Sequence, residues 1–308
     1  MPDATPKAMT GLHHVTAISG PPQANVDFFT KLMDQRLVKR TVNFDDPGTY
    51  HLYYGNRTAD PGTILTFFPF VGARPGRPGP GMASAYSYAV GQSVLGDWLT
   101  EMRDRGADVS DPVERFGQTV AAVTDPDGAS VELVGTPGDH GPAEGGFHGV
   151  TLWLDELAPT QRLLVDALGY EEAGHEAADG AERLRLRAPG DARGTVVDLY
   201  RRDDAPRGVP GTGTIHHVAF RAMDDAEQLD WRERMIAAGM EVTPVIDRQY
   251  FNAIYFREPG GVLFEIATDP PGFTRDEDLA HLGEALKLPD QYEPMRDRIE
   301  AALPPIDA

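Results

Sequence analysis

The chain predicts an α+β fold of four βαβββ modules, and three observations carry that prediction. A glycine, three mostly apolar residues and then a side chain of fixed facing recur at Gly62–Thr66, Gly128–Glu132, Gly194–Asp198 and Gly261–Glu265. Each is preceded by a short strand-like phrase: His13-His14-Val15-Thr16, Ala85-Tyr86-Ser87-Tyr88, His148-Gly149-Val150-Thr151 and His216-His217-Val218-Ala219. Glycine- and proline-rich stretches at 71–84, 134–146 and 201–214 read as linkers and divide residues 11–269 into four blocks. Self-similarity of this kind marks a repeated supersecondary unit.

Within each block the opening strand leads into a helical pattern. Val26, Phe29 and Met33 form an apolar stripe in the first, and Leu95, Trp98, Leu99 and Met102 in the second. Leu164, Ala167 and Leu168 do so in the third, and Leu229 and Ile236 in the fourth. Such spacing places apolar side chains on one helix face, so each stripe is expected in the core. Gly106, Gly169 and Gly239 fall where the last three helices should stop. Further strands follow, and Asp125-Pro126-Asp127-Gly128 and Glu258-Pro259-Gly260-Gly261 read as tight turns into the last strand of two blocks. A half-open module cannot bury both its sides, so modules should pair across their concave faces into two half-barrel domains. The expected segments are 1–135 (modules one and two), 146–269 (modules three and four) and a C-terminal extension, 270–308, packed over the body.

Composition narrows the function classes. With 308 residues, 41% hydrophobic, the chain can bury a sizeable core, and no apolar run approaches the length of a bilayer span. Cysteine is absent, which excludes disulfides, thiolate metal sites and cysteine nucleophiles. The formal net charge of −20 repels nucleic acid and anionic lipid, so neither is expected as a partner. The Met1-Pro2-Asp3-Ala4 opening lacks the basic and apolar regions of a secretion signal, so a cytoplasmic enzyme is expected. A homo-oligomer is compatible with the sequence.

The differences between repeats point to chemistry. Side chains two apart on a strand share a face. His14 and Thr16 share one face of the first module, and His217 and Ala219 the equivalent face of the fourth. Glu265 takes the matching position on the fourth module's last strand, and Thr66, a poor ligand, takes it in the first. If modules one and four pair, His14, His217 and Glu265 converge. Two imidazoles and one carboxylate are the donor set of a non-haem Fe(II) site with open positions. Blocks two and three offer Ser87, Glu132, Gly149 and Asp198, which leaves a hard-cation site, structural carboxylates or a vacant pseudo-site as readings. His51, His140, His175 and His281 lack such geometry and are expected to be structural or exposed.

The last hairpin sets Tyr255 across from Phe264 or Glu265, where its hydroxyl could bond an oxygen at the metal. Arg248 lies one short strand earlier and could stabilise an anion. Strict alternation turns His13 and His216 away from the metal, unless a bulge at the strand start redirects them.

The phrases GLHHVTAISG, TYHLYYGN with GTILTFFPF, GTIHHVAF and DRQYFNAIYFREPGGVLFEIATDPPGF resemble the vicinal oxygen chelate superfamily, whose fold is glyoxalase-like. The chain is most similar to its extradiol-type, hydroquinone-class ring-cleaving dioxygenases, over nearly its whole length. The resemblance implies iron ligands at His14, His217 and Glu265, and a surrounding shell of Thr16, His13, His216, Arg248 and Tyr255. It thereby adds His13 and His216 to what alternation alone suggests. The expected activity is Fe(II)-dependent ring cleavage of a hydroquinone or related phenol, with a small aromatic substrate and O₂ as partners. A non-redox glyoxalase-like isomerase or lyase, or a metal-free binding protein of the same fold, are the alternatives. The Thr66 position argues against the isomerase, which would want a fourth protein ligand there. A zinc hydrolase also uses two histidines and a glutamate, but no adjacent general base is evident.

Overall fold

The computed structural model describes residues 7–178 and 180–307; the Met1–Ala4 stretch read above lies outside them. The first module comprises β1 (Leu12–Ser19), α1 (Pro22–Asp27, continuing as a π-helical turn over Phe28–Leu32), β2 (Arg36–Val42), β3 (Tyr50–Gly55) and β4 (Ile64–Pro69). The second comprises β5 (Met82–Gly91), α2 (Leu95–Asp104), β6 (Val113–Arg115), β7 (Gln118–Thr124) and β8 (Ser130–Thr136). After the short α3 (Pro142–Gly145), the third runs through β9 (Phe147–Trp153), α4 (Leu157–Arg162, with a π turn over Leu163–Ala167), β10 (Glu171–Ala178), β11 (Ala181–Arg187) and β12 (Val196–Arg202). The fourth holds β13 (Thr214–Ala222), α5 (Asp225–Ala237), β14 (Ile246–Asp247), β15 (Phe251–Arg257) and β16 (Leu263–Pro271). The order in every module is therefore βαβββ.

The strands form two eight-stranded sheets, β14-β15-β16-β13-β1-β4-β3-β2 and β10-β11-β12-β9-β5-β8-β7-β6. Each curls into a half-barrel and takes one module from residues 1–135 and one from 146–269. Inside a module the first and last strands run parallel, and the seam between modules is the antiparallel pair β1–β13 or β5–β9. Modules one and four share the first sheet, which places His14, His217 and Glu265 on one surface.

The recurring glycines enter their last strands with left-handed backbones: Gly62, Gly128, Gly194 and Gly261 have φ of 81°, 88°, 67° and 100°. Glycine reaches these angles without the Cβ clash that other residues suffer. The proposed helix stops behave alike, with Gly106, Gly169 and Gly239 at φ 84°, 74° and 86°. Along β1, Val15 and Ala17 point into the main core while His14 and Thr16 face the other way.

Three helix stripes lie in the core as expected, with Trp98 only half-buried. The fourth does not: Leu229 and Ile236 are 50% and 46% exposed. The buried face of α5 is instead Gln228, Trp231 and Met235. Polar anchoring sets that phase. Gln228 Nε2 donates to the carbonyls of Asn252 and Ile266, and Trp231 Nε1 donates to Glu227 Oε1.

The extension packs across β2 and β3. Lys39, wholly buried, is held by Asp276 at 2.6 Å and by Glu277, and Tyr250 Oη donates to Asp276 at 2.9 Å. The short α6 (Arg296–Ala302) contributes Ile299 to the core. Tyr292 Oη donates to the carbonyl of Phe44, bracing the β2–β3 loop from behind. Among the described residues no helix is long and apolar enough to cross a membrane.

Candidate metal centre

The β1–β13 seam is irregular at both symmetry-related places. Register shifts fall between Leu12 and His14 on β1, and opposite Thr16–Ala17, where β13 passes from His217 to Ile215. His13 and His216 are the residues left without a partner. A bulge releases one side chain from strict alternation. Here it turns each imidazole toward its neighbour: His13 Nδ1 is 2.8 Å from His14 Nδ1, and His216 Nδ1 is 2.8 Å from His217 Nδ1.

Those contacts leave the opposite nitrogens free to converge. His14 Nε2 and His217 Nε2 are 3.3 Å apart, and lie 3.4 and 2.9 Å from Glu265 Oε2. The three candidate donor atoms all lie within 4.8 Å of one another. Glu265 is fully buried, and beyond the facing His14 and His217 nitrogens and the nearby Tyr255 no donor satisfies its oxygens. Burial alone would raise its pKa, but the facing His14 and His217 hold the carboxyl below the usual carboxylate range. A buried carboxylate without hydrogen bonds is costly unless a cation compensates it. Three lone-pair donors aimed at a common point fit a metal ion.

Burial disfavours the charged form of His13, His216 and His217, and an imidazole must be neutral to act as a ligand. Burial, then His14, pushes His13 well below its ordinary pKa. Burial lowers His217, and burial with His217 beside it takes His216 down to about 4, although its side chain stands partly open to solvent. If His14 Nε2 ligates a metal, its Nδ1 carries the proton and donates it to the Nδ1 of neutral His13. Such an arrangement fixes the tautomer that leaves Nε2 for the metal.

The donors open on a cavity of about 330 Å³ walled by Phe44, Phe68, Phe70, Phe251 and Leu263. That volume suits one small aromatic molecule. Tyr255 pairs with Glu265 across β15–β16, its ring 5.9 Å from that of His217. Its hydroxyl accepts from Arg248 Nε at 3.1 Å, and Arg248 also reaches Asp45 at the rim, 3.5 Å away. Burial, then Glu265, raises the Tyr255 pKa, so the phenol stays protonated. Thr16 lines the cavity, and its hydroxyl lies 2.8 Å from that of Thr66.

One lining residue was not expected. His51 stands in the cavity wall, with Nε2 2.9 Å from Thr66 Oγ1 and Nδ1 2.8 Å from Tyr53 Oη. Its position on β3, two residues from Tyr53 and opposite the Thr66 strand, is the signal that strand periodicity offered. His140, His175 and His281 bond locally at half-buried or exposed places, as expected.

Among the described residues the second sheet has no equivalent centre. Arg115 clamps both oxygens of Glu132, and Arg185 both oxygens of Asp198, with Arg183 Nη1 3.3 Å from Asp198. Both carboxylates are therefore answered by guanidinium groups, which decides against the hard-cation reading. At Gly149 a Cβ would meet the Val196 carbonyl oxygen at 2.2 Å, so no histidine fits there without moving the backbone.

Comparison with known proteins agrees with this architecture. The family profile described as Glyoxalase/Bleomycin resistance protein/Dioxygenase superfamily matches residues 11–133 and 146–266. The chain is 46% identical over 312 residues, 98% of each chain, to a Bacillus subtilis protein named "Putative ring-cleaving dioxygenase MhqO". It is 34% identical over 314 residues, 96% of each, to the chlorohydroquinone/hydroquinone 1,2-dioxygenase of Sphingobium indicum. The crystal structure of a "putative dioxygenase" from Bacillus subtilis superposes with a TM-score of 0.90 at 46% identity, covering 98% of both chains. With its paired βαβββ modules and buried His/His/Glu cluster, the chain belongs to the glyoxalase/bleomycin resistance protein/dioxygenase superfamily.

Proposed function

We propose that the protein is an Fe(II)-dependent, extradiol-type dioxygenase that opens the ring of a hydroquinone or related phenol. The observation that carries this reading is the His14/His217/Glu265 cluster at the base of an aromatic-walled cavity, with no fourth protein ligand beside it. The Thr66 hydroxyl at the fourth position is committed to Thr16 and His51. The relatives named for ring cleavage and for hydroquinone support the substrate class.

Bound Fe(II) would supply adjacent open positions for a phenolic oxygen and O₂, and a path for electrons between them. The chain's own residues do the rest. Phe44, Phe68 and Phe251 sandwich the ring and exclude water. Tyr255, protonated and oriented by Arg248, keeps a hydroxyl proton at the cavity wall for donation to the substrate. The fixed charge of Arg248 stabilises anion that develops nearby. His13 and His216 hold the ligand imidazoles in one tautomer. With its Nδ1 accepting from His217, His216 carries its proton on Nε2 and so adds a donor to the wall.

The test is O₂ uptake by Fe(II)-loaded protein with hydroquinone, methylhydroquinone and catechol in parallel, with His217→Ala correcting for autoxidation. Uptake matched by a ring-opened product is expected. No uptake by protein that demonstrably holds Fe(II) would sink the proposal and favour a non-redox metalloenzyme. Glu265→Ala and His14→Ala should lose both metal and uptake.

A further inference from the structure

The repeat relates two tyrosines across the metal centre. Tyr255 pairs with Glu265 across β15–β16, and Tyr53 pairs with Thr66 at the corresponding place across β3–β4. Glu265 faces the metal, whereas Thr66 has no ligating atom to offer and bonds to its neighbours. Hydroxyl and imidazole groups then follow one another without a gap: Tyr53 Oη to His51 Nδ1 at 2.8 Å, His51 Nε2 to Thr66 Oγ1 at 2.9 Å, Thr66 Oγ1 to Thr16 Oγ1 at 2.8 Å. Thr16 lines the cavity beside His14.

We propose that Tyr53, His51 and Thr66 form a one-way hydrogen-bond chain that aims the Thr16 hydroxyl proton into the cavity, to hold an ionised phenolic oxygen. This rests on the phenol-binding reading above and names residues that specify its substrate form. The direction follows from Tyr53, which is 1% exposed and whose hydroxyl has no other partner among the described residues. If His51 donated to Tyr53, the phenol proton would find no acceptor among the described residues and would be left facing the largely apolar cavity wall, at the cost of a lost hydrogen bond. Tyr53 therefore donates to Nδ1, His51 carries its proton on Nε2, and Thr66 accepts it. Thr66 must pass its own proton to Thr16, whose proton is left for the cavity. The His51 ring is fixed between Tyr53 and Phe68, at centroid distances of 4.0 and 4.3 Å. Reversed, the chain would present a Thr16 lone pair, which repels a phenolate.

Tyr53 and His51 are thus positioning residues acting through Thr16. The test titrates metal-loaded protein, without oxygen, with 4-nitrocatechol, whose visible absorption reports how far its hydroxyls are ionised. Tyr53→Phe, Thr66→Val and Thr16→Val should each weaken binding about three- to tenfold and shift the bound probe toward its protonated spectrum. Thr16→Ser should bind as the parent protein does. The Tyr53→Phe/Thr16→Val double variant should be no weaker than Thr16→Val alone, because both break one chain. Metal content and melting temperature are followed in parallel, and Thr66→Val breaks a separate link should Tyr53→Phe fold poorly. Multiplying losses in the double variant, parent-like binding by well-folded Tyr53→Phe or Thr66→Val, or no binding by the parent would each overturn the chain. Tight probe binding without O₂ uptake would instead sink the dioxygenase reading and leave the chain standing.

Discussion

At the scale of single residues, the centre depends on two histidines that touch no metal. His13 and His216 each lie 2.8 Å, Nδ1 to Nδ1, from the proposed ligand that follows, and by accepting its Nδ1–H would give it one tautomer and one ring orientation. Removing such a partner typically costs tenfold to a hundredfold in metal affinity. His13→Ala should therefore bind Fe(II) about 10–100-fold more weakly in a chelator competition, with its fold intact by circular dichroism. The ligands themselves are legible in the sequence because repeat-equivalent positions can be compared. His13 and His216 are named only by the family resemblance, since a two-residue period assigns them to the wrong face and a bulge reverses it. His51 escaped for a different reason: its importance lies in a contact with Thr66, one strand away.

At the scale of elements, the turn into β8 carries a stored electrostatic cost. Asp125 accepts from the backbone N–H groups of Asp127 and Ala129 through Oδ1, while its buried Oδ2 has no partner. Burial raises its pKa from 3.8 to about 6. Because the folded value is the higher one, its stabilising contribution is full below pH 3.8 and is lost as pH rises through 6. Relative to Asp125→Asn, the parent protein should lose about 1 kcal/mol of stability between pH 5 and pH 7, measured by urea unfolding at each pH. A flat difference would show that the carboxyl is solvated. The turn residues were readable because left-handed glycines and Asp-Pro pairs report local geometry. The phase of α5 was not, since Gln228 and Trp231 are turned inward by hydrogen bonds to distant strands and to Glu227.

At the scale of the whole molecule, one sheet works while the other supports it. In the second sheet, arginine–carboxylate clamps fill the surface that the first devotes to metal, and Gly149 leaves no room for a ligand. The extension closes the working sheet from outside through Lys39. Its ammonium is wholly buried between Asp276 and Glu277, so truncating it leaves two carboxylates uncompensated. Lys39→Ala should destabilise the protein by about 3–5 kcal/mol in chemical denaturation. It should also speed proteolysis between residues 272 and 286 before the sheets are attacked. Global unfolding with no earlier cleavage of the extension would show that the clamp is not a separate unit.

The amino-acid sequence by itself determined the module, its fourfold repetition and the three residues that cluster as candidate donors. Each of these is local or periodic: a glycine at a left-handed turn, a two-residue strand period, a histidine where another copy has alanine or glycine. Tertiary structure decided which modules share a sheet, which way the bulged histidines turn and what Thr66 does in place of a ligand. Those outcomes depend on strand pairs far apart in the chain, such as β1 with β13, whose registers no local pattern encodes. The three candidate donors were therefore visible before the fold and their surrounding residues through the resemblance, whereas the hydrogen bonds among them became visible only with the fold.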